Sequence, residues 1–480
     1  MSNLDKWVAF LCQAEIPVLR SSVDELARLK QNEDNITARD ISGVILQDPM
    51  LTLKVLRRLQ EHRRNSPATE ITTVSHAVMM LGITPFFAQF RDMNVVEEVL
   101  TQRPHAMEGF MEVVNRARHA ALHAREWAAL RHDIESDEVI IATLLHDVAE
   151  MLLWCLAPEA TMRISDKMRR DKTLRSAAAQ EGVLGFSLMD LQLALVERWH
   201  LPALLQSLMD DEYPNRWRAR IVALASALAR HSAKSWDDAA LPDDYAAIQK
   251  FLALSRHEVM ERICRVTLRA IRGLNRHGEL RSAAWLPPVP AAWTDAEGDG
   301  NGEDSAGRHE VLKGVTELLT ARAAQNPDFL EILSLVFHGV HAGIGLARVL
   351  FLEFDHEHSK ATARYVTGSA EASELRKLQI GLDCPHVFSW LVGEGAAIWD
   401  RTVARTRSPS SVADDICRVI GDNEFFAMPI RVNANPIGLI YADGGQHQPV
   451  LCADQYEEFQ MLCLLLAKAL EREPRSGHFL

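Results

Sequence analysis

An adjacent histidine and aspartate are the residues of this chain best suited to chemistry. His146 and Asp147 lie in the apolar segment 138–156. A neutral imidazole and a carboxylate are both ligands that divalent metals accept. Because consecutive residues of a helix point about 100° apart, a metal would also need ligands from other helices. His119, on the preceding predicted helix, is the candidate third ligand. His119, His146 and Asp147 therefore form the candidate metal site.

The segments that must position these residues are predicted to be helical. Residues 138–156 are apolar on nearly all sides, which is typical of a helix in the middle of a bundle. Residues 40–45 carry apolar side chains at i, i+3 and i+4. Thr73 and Gly82 have the positions of a helix cap and a helix end. Further helices are predicted over residues 50–59, 191–199, 220–231 and 255–274. No run of alternating apolar and polar residues that would predict a strand occurs before residue 285.

A change of composition marks a domain boundary. Residues 286–307 begin with prolines and continue with Gly, Asp, Glu and Asn. Such a segment buries too little apolar surface to offset the entropy of ordering it, so it is expected to be a flexible linker. The sequence therefore predicts an all-helical domain with a helical extension at 1–285, a linker at 286–307, and a second domain at 308–480.

The pattern after the linker alternates between helix and strand. The hairpin signal is strongest at residues 425–443, where two β-rich runs flank a turn at Asn433-Ala434-Asn435. Helices are predicted over 309–325, 329–343 and 454–472, and strands over 347–354, 361–367 and 397–400. An antiparallel sheet with helices at both ends is an α+β domain.

Motifs of a known family occur in the first domain. The most specific is Ala142-Thr143-Leu144-Leu145-His146-Asp147-Val148. The other matching runs are Ile16-Pro17-Val18-Leu19, Gln47-Asp48-Pro49-Met50-Leu51, Ile71-Thr72-Thr73-Val74, Leu81-Gly82-Ile83 and Trp199-His200-Leu201-Pro202. From about residue 11 to 231 the chain resembles an HDOD domain, the HD-related output domain of bacterial signalling proteins. The resemblance implies an HD-like helical fold and a regulatory role.

The resemblance also implies a degenerate site. Working HD hydrolases use a helix histidine, the His-Asp pair and a distant aspartate; His119, His146 and Asp147 match the first three. Ser226 stands where the aspartate is expected, and a neutral hydroxyl is a poor replacement for a carboxylate ligand. A His-His pair that is common in the superfamily is replaced here by Asp210-Asp211. The Gly-Tyr-Pro signature of cyclic dinucleotide phosphodiesterases is also absent, because Glu212 precedes Tyr213-Pro214. No catalytic residues and no cofactor are expected.

Three interpretations of the site remain open. His146 and Asp147 can hydrogen-bond within the bundle, as buried polar groups must. They can instead hold a divalent metal without catalysis, as a vestigial site with His119. The alternative from another functional class is a metal-dependent phosphohydrolase that acts on a nucleotide or another phosphorylated compound. Glu150, four residues after His146, either supports that histidine or is an ordinary polar helix residue.

Residues 308–472 resemble a GAF domain, a small-molecule or interaction sensor. The match rests on residues 345–351, 429–430 and 436–443. The Asn-Lys-Phe signature of members that bind cyclic nucleotides is absent, because Asn423-Glu424-Phe425 lacks the lysine. The resemblance implies a small-molecule ligand or a dimerisation role, and the apolar helix at 454–472 offers a surface for a homodimer. Cys384-Pro385-His386 is interpreted as a loop, and His338 with His341 as a partly exposed helix face.

Composition narrows the class of protein. At 480 residues the chain is expected to form more than one domain. Its net charge of −13 disfavours nucleic-acid binding and anionic membranes. The seven cysteines are scattered, which favours a reducing compartment. With no secretory signal and no long apolar run, the sequence predicts a cytoplasmic protein. The HDOD resemblance implies that it is a bacterial signalling protein that acts on protein partners.

Overall fold

Two compact units make up the chain, Met1–Arg230 and His231–Leu480. The computed structural model describes residues 2–63, 73–133, 136–171, 173–201, 203–209, 217–276, 282–289, 305–323, 328–368, 375–383, 386–400, 423–445 and 450–471. The predicted boundary at 285 lies inside the second unit, so residues 231–285 belong with the C-terminal part of the chain. Most of the predicted linker lies outside the described residues. Its first residues do not behave as a linker, since Leu286 and Val289 are buried.

Helices build the first unit. They are α1 (Asn3–Gln13), α2 (Arg20–Lys30), α3 (Ala38–Ile45), α4 (Pro49–Arg63), α5 (Val74–Leu81), α6 (Ile83–Gln89), α7 (Val96–Val99), α8 (Pro104–Leu130), α9 (Ser136–Leu145), α10 (Val148–Leu156), α11 (Pro158–Arg170), α12 (Ser176–Leu184), α13 (Leu188–Arg198), α14 (Ala203–Met209) and α15 (Trp217–Ser232). The predicted helical fold is confirmed. Thr73 caps α5, where its hydroxyl accepts from the His76 amide.

The predicted continuous helix over 138–156 is wrong in one respect. It is broken into α9 and α10 by a turn at His146 and Asp147. The break leaves backbone groups in the core, and the buried side chain of Gln192 satisfies two of them. Its amide nitrogen donates to the Leu145 carbonyl at 2.6 Å, and its oxygen accepts from the Ala149 amide at 2.9 Å. A buried break of this kind requires such partners.

This broken segment is also apolar enough to resemble a membrane helix. By length and composition alone, Ser136–Leu156 could cross a membrane. In the fold, 83% of its most apolar window is buried within the protein. A helix that is hydrophobic all round and covered by its neighbours is typical of a protein core.

Close packing joins α8 to α10. At Gly109 in α8 a Cβ atom would lie 2.5 Å from the indole ring of Trp154 in α10. Trp154 is itself 8% exposed, so its ring has little room to move. Only glycine therefore allows this approach of the two helices.

Replacing Gly109 by alanine is expected to lower the free energy of unfolding by about 1–3 kcal/mol, because the methyl group overpacks the contact with Trp154. Thermal and denaturant unfolding of the full chain measure the effect. The matched control is Gly43→Ala in α3, where a Cβ meets nothing within 4 Å. There the better helix propensity of alanine should raise stability by up to about 1 kcal/mol. Equal effects at both glycines would show that the Trp154 contact is not restrictive.

The second unit combines helices with one mixed sheet. Its helices are α16 (Leu241–Leu252), α17 (Arg256–Arg276), α18 (Ser305–Ala323), α19 (Phe329–His338), α20 (Val387–Glu394) and α21 (Ala453–Leu470), and a π turn, Gly339–Gly343, continues α19. Its strands are β1 (Ala284–Trp285), β2 (Arg348–Phe354), β3 (Lys360–Gly368), β4 (Gln379–Gly381), β5 (Ile398–Asp400), β6 (Phe425–Val432) and β7 (Asn435–Asp443). The predicted α+β class is confirmed.

The sheet order is β1-β3-β2-β7-β6-β5, with β4 also paired to β3. The pairs are antiparallel except that β1 runs parallel to β3. The expectation of a purely helical chain before residue 285 is therefore wrong at Ala284 and Trp285. The predicted hairpin is confirmed, with Asn433 and Ala434 both at positive φ in its turn.

A buried ion pair connects two neighbouring strands of this sheet. The guanidinium of Arg348 in β2 donates to both carboxylate oxygens of Asp443 in β7, at 2.7 and 2.6 Å. Tyr441 donates its hydroxyl to the same carboxylate. The Arg348 side chain is 8% exposed and that of Asp443 is 0% exposed. Neither charged group could be solvated by water if its partner were lost.

Substituting Asp443 by asparagine is expected to lower the free energy of unfolding by about 3–5 kcal/mol, since it leaves the buried Arg348 charge uncompensated. Chemical denaturation of the full chain is the measurement. Glu357→Gln, in the exposed connection between β2 and β3, is the control and should change stability by no more than about 0.5 kcal/mol. A loss no larger than that of the control would contradict the assigned role.

Candidate functional site

The turn between α9 and α10 brings His146 and Asp147 into direct contact. The Nδ1 atom of His146 lies 3.0 Å from Oδ1 of Asp147. Because a carboxylate can only accept, the imidazole donates its Nδ1 proton. His146 is 5% exposed, so this bond forms away from water. The predicted pair is therefore assembled, but its two members bond to each other.

A residue that the sequence analysis did not single out faces this pair. Arg116 lies on α8, about one helical turn before His119. Its Nε donates to Oδ2 of Asp147 at 3.0 Å, and one terminal nitrogen donates to Glu150 at 2.7 Å. Arg230 of α15 adds a longer ion pair, 3.8 Å from Oδ1 of Asp147. Two arginines thus lie beside the carboxylate that the metal interpretation would require as a ligand.

The charges of this cluster hold one another ionised. Burial by itself would raise the pKa of Asp147, but the Arg116 charge and the His146 hydrogen bond together hold it well below its ordinary value. Burial would conversely lower the pKa of Arg116, and the carboxylates of Glu150 and Asp147 raise it instead. The cluster is therefore a persistent ion pair rather than a group poised to exchange protons near neutral pH.

His119 is turned toward a different partner. Its Nε2 lies 3.0 Å from Nε2 of His123, one turn later on α8. His123 is fully buried, and its ring also packs on Trp127 with centroids 5.5 Å apart. Burial lowers the pKa of His119 from 6.5 to about 4, so the imidazole is neutral near pH 7. The i, i+4 spacing of the two histidines was the available sequence signal for this pairing.

The three predicted ligands do not form a common metal group. Among the residues that the structure describes, no cluster of three or more His, Cys, Asp or Glu side chains could hold a metal ion. Ser226, which the family resemblance places where the hydrolases carry an aspartate, is 5% exposed, and its hydroxyl has no hydrogen-bond partner in the described part of the chain. The residues present do not fit a divalent cation, because Arg116 already neutralises the carboxylates it would need.

The remaining candidates are distributed over both units. Glu150 pairs with Arg116 rather than with His146. In the π turn of the second unit, His341 Nδ1 donates to the Leu346 carbonyl at 2.7 Å. His386 caps α20 and lies 2.6 Å from the Gly381 carbonyl, as expected of a structural residue. Residues 71–72, 202, 210–214 and 384–385, which carried other sequence expectations, lie outside the described residues.

Comparison with known proteins supports the predicted family over most of the first unit. Residues 16–213 match the family model of the HDOD domain, which confirms the predicted resemblance over that range. No curated protein sequence matches the chain.

Several solved structures are similar to parts of the chain. The MmoQ response regulator of Methylococcus capsulatus is 19% identical and covers 53% of this chain and 98% of its own, with a TM-score of 0.41. A virulence factor of Campylobacter jejuni is 16% identical over 52% of this chain and 91% of its own, also with a TM-score of 0.41. A GAF domain/HD domain protein of Geobacter sulfurreducens is 10% identical over 31% of this chain and 97% of its own, with a TM-score of 0.26.

Stability is expected to depend on pH through His119. Its pKa is about 4 in the folded chain against an ordinary 6.5, so the unfolded chain takes up the proton first as pH falls. The free energy of unfolding should therefore decrease as the pH is lowered from about 6.5 to about 4. His119→Gln removes the titrating group and should reduce this decrease, measured by denaturant unfolding at several pH values.

The matched control for this measurement is His105→Gln, an exposed position on the same helix. It should leave the pH dependence of the parent protein unchanged. If His119→Gln kept the full decrease in stability, the imidazole of His119 would not be its source.

Proposed function

Because residues 16–213 match the family model of the HDOD domain, we propose that this protein is a regulatory protein of bacterial signal transduction with no hydrolase activity. In this proposal the helical HDOD domain is a scaffold or output surface for protein partners in the cytoplasm. The C-terminal α+β unit is a GAF-like sensor or a dimerisation element. The chain requires no cofactor for this role.

The observation that carries the proposal is the ion pair between Arg116 and Asp147. A divalent cation at the His-Asp pair would need the Asp147 carboxylate that Arg116 already engages at 3.0 Å. Placing a second positive charge beside a guanidinium whose side chain is 16% exposed would cost Coulomb energy that surrounding water screens poorly. Expelling the guanidinium would leave it without its carboxylate partners. Arg116 therefore supplies internally the charge that a metal supplies in a hydrolase.

Two further features favour the same interpretation. His119 shares a hydrogen bond with His123, which engages its Nε2 atom within the helix. Ser226 offers a hydroxyl where the hydrolases of the superfamily offer a carboxylate. A site with fewer anionic ligands holds divalent metals more weakly. Both features thus disfavour metal binding, as Arg116 does.

The rival function is a metal-dependent phosphohydrolase with His119, His146 and Asp147 as ligands. It would activate a water on the metal and attack a phosphoryl group. The charge and hydrogen-bond pattern around Asp147 disfavours it, but the His-Asp pair that defines the superfamily is present. Metal content and phosphate release distinguish the two functions directly.

The full chain, purified and incubated with Mn²⁺, Mg²⁺ or Zn²⁺, is expected to retain substoichiometric metal after gel filtration. It should release no more phosphate from nucleotides and phosphomonoesters than His146→Ala does, because Arg116 and Ser226 leave no complete ligand set. Elemental analysis and a phosphate assay are the measurements.

The informative control is a double variant, Arg116→Met with Ser226→Asp. It removes the internal cation and restores a carboxylate, and it should bind more metal than the parent if both residues exclude the ion. Circular dichroism verifies that the variant is folded. Stoichiometric metal in the parent, together with phosphate release that His146→Ala abolishes, would overturn the scaffold proposal and establish the hydrolase.

A further inference from the structure

A cavity in the second unit carries groups of opposite charge. Its volume is about 490 Å³, and it lies among the first turns of α18, the π turn that follows α19, and the first turns of α21. Its polar lining includes Arg308, Gln455 and Glu458, and its apolar lining includes Leu312 and Ile344. Small-molecule sites typically have about 300–1,000 Å³ and combine an apolar wall with a few placed polar groups.

The wall of this cavity is held by close contacts. Gln455 donates to the Ile344 carbonyl at 3.2 Å and accepts from the Cys452 amide at 3.1 Å, which connects α21 to the end of the π turn. At Gly343 a Cβ would lie 3.3 Å from the backbone of Leu312, so the π turn packs directly on α18. The cavity is therefore formed by elements that are bonded to one another before any ligand arrives.

The two charged groups of the cavity are held in different ways. The Arg308 guanidinium lies over Gly345, where a Cβ would come within 2.7 Å of one of its terminal nitrogens. Gly345 has a φ of +84°, so a side chain is disfavoured there on conformational grounds as well. Burial raises the pKa of Glu458, His309 lowers it and Asp454 raises it. A cation beside Glu458 would restore part of the solvation that its carboxylate loses.

We propose that this cavity binds a free α-amino acid with an apolar side chain. Arg308 pairs with the ligand carboxylate, Glu458 pairs with its ammonium group, and Leu312 with Ile344 contacts its side chain. A guanidinium is well suited to a carboxylate because its planar nitrogens donate two parallel hydrogen bonds. A zwitterionic ligand can pair with both charged groups, whereas a ligand with a single charge can pair with only one.

The site lies entirely in the second unit and shares no residue with the His146 cluster. It gives the proposed sensor role a chemical class of ligand, and it rests on that role only for its biological meaning. Metal content and phosphate release do not involve this cavity, so the two proposals fail independently.

The test compares three ligands of one shape by calorimetry on the full chain. L-leucine carries both charges, 4-methylpentanoate lacks the ammonium group, and 3-methylbutylamine lacks the carboxylate. Leucine is expected to bind at least roughly tenfold more tightly than either analogue, as loss of one charged hydrogen bond implies. Methionine and phenylalanine extend the test to other apolar side chains.

Two variants assign the charges. Arg308→Met should weaken the binding of leucine roughly tenfold or more, so that the variant binds leucine no more tightly than it binds 3-methylbutylamine. Glu458→Gln should conversely bind leucine no more tightly than it binds 4-methylpentanoate. Lys313→Met and Glu457→Gln, exposed neighbours on the same two helices, are the matched controls and should bind leucine as the parent does.

Alkylation of Cys452 provides an independent measurement. Cys452 lines the cavity and is exposed, whereas the other described cysteines are buried or half-buried. In a background with Cys384 and Cys417 replaced by serine, leucine should slow its reaction with a maleimide. The proposal is overturned if none of the three amino acids binds or protects Cys452. It is also overturned if leucine and its singly charged analogues bind alike, or if the control variants weaken binding equally.

Discussion

The guanidinium of Arg116 balances the carboxylates of Asp147 and Glu150 at the break between α9 and α10. The three side chains are 16%, 15% and 27% exposed, so water screens their charges only in part and loss of one partner would be destabilising. The turn that divides the two helices can exist there because its aspartate has a permanent counterion and its backbone has Gln192. Both supports come from helices distant in sequence. Without Arg116 the Asp147 carboxylate would lose its main counterion, and without Gln192 two backbone groups at the break would lose their hydrogen-bond partner.

Periodicity predicted the class of fold because amphipathic spacing and hairpin chemistry are local properties. It could not predict the break at His146, since a segment apolar on all sides gives no signal at the residue where its helix stops. The partners of the broken backbone lie 43 and 47 residues away, on Gln192. Arg116 was overlooked for a related reason. An arginine is ordinary in a helix until a structure shows which carboxylate it meets.

The sequence named His119, His146 and Asp147 as candidates but did not predict their bonding. His146 and Asp147 hydrogen-bond to each other, and the partner of His119 is His123 on the same helix. Composition likewise predicted a linker at 286–307, where Leu286 and Val289 proved to be buried, and did not predict the boundary between units. That boundary depends on long-range packing, which assigns residues 231–285 and the short β1 to the second unit. Composition describes what a segment contains and is insensitive to what packs against it.

The contact of Gly109 with Trp154 and the ion pair of Arg116 with Asp147 have matching spacings. Gly109 and Arg116 are seven residues apart along α8, and Asp147 and Trp154 are seven residues apart along α10 and its cap. Seven residues are about two helical turns, so both contacts lie on the same face of two antiparallel helices. The close approach at Gly109 thereby sets the distance between α8 and α10 that lets Arg116 reach Asp147. One residue inserted between Gly109 and Arg116, or between Asp147 and Trp154, would rotate one contact by about 100° relative to the other. Descendants of this sequence can vary the composition of the intervening turns far more freely than their length.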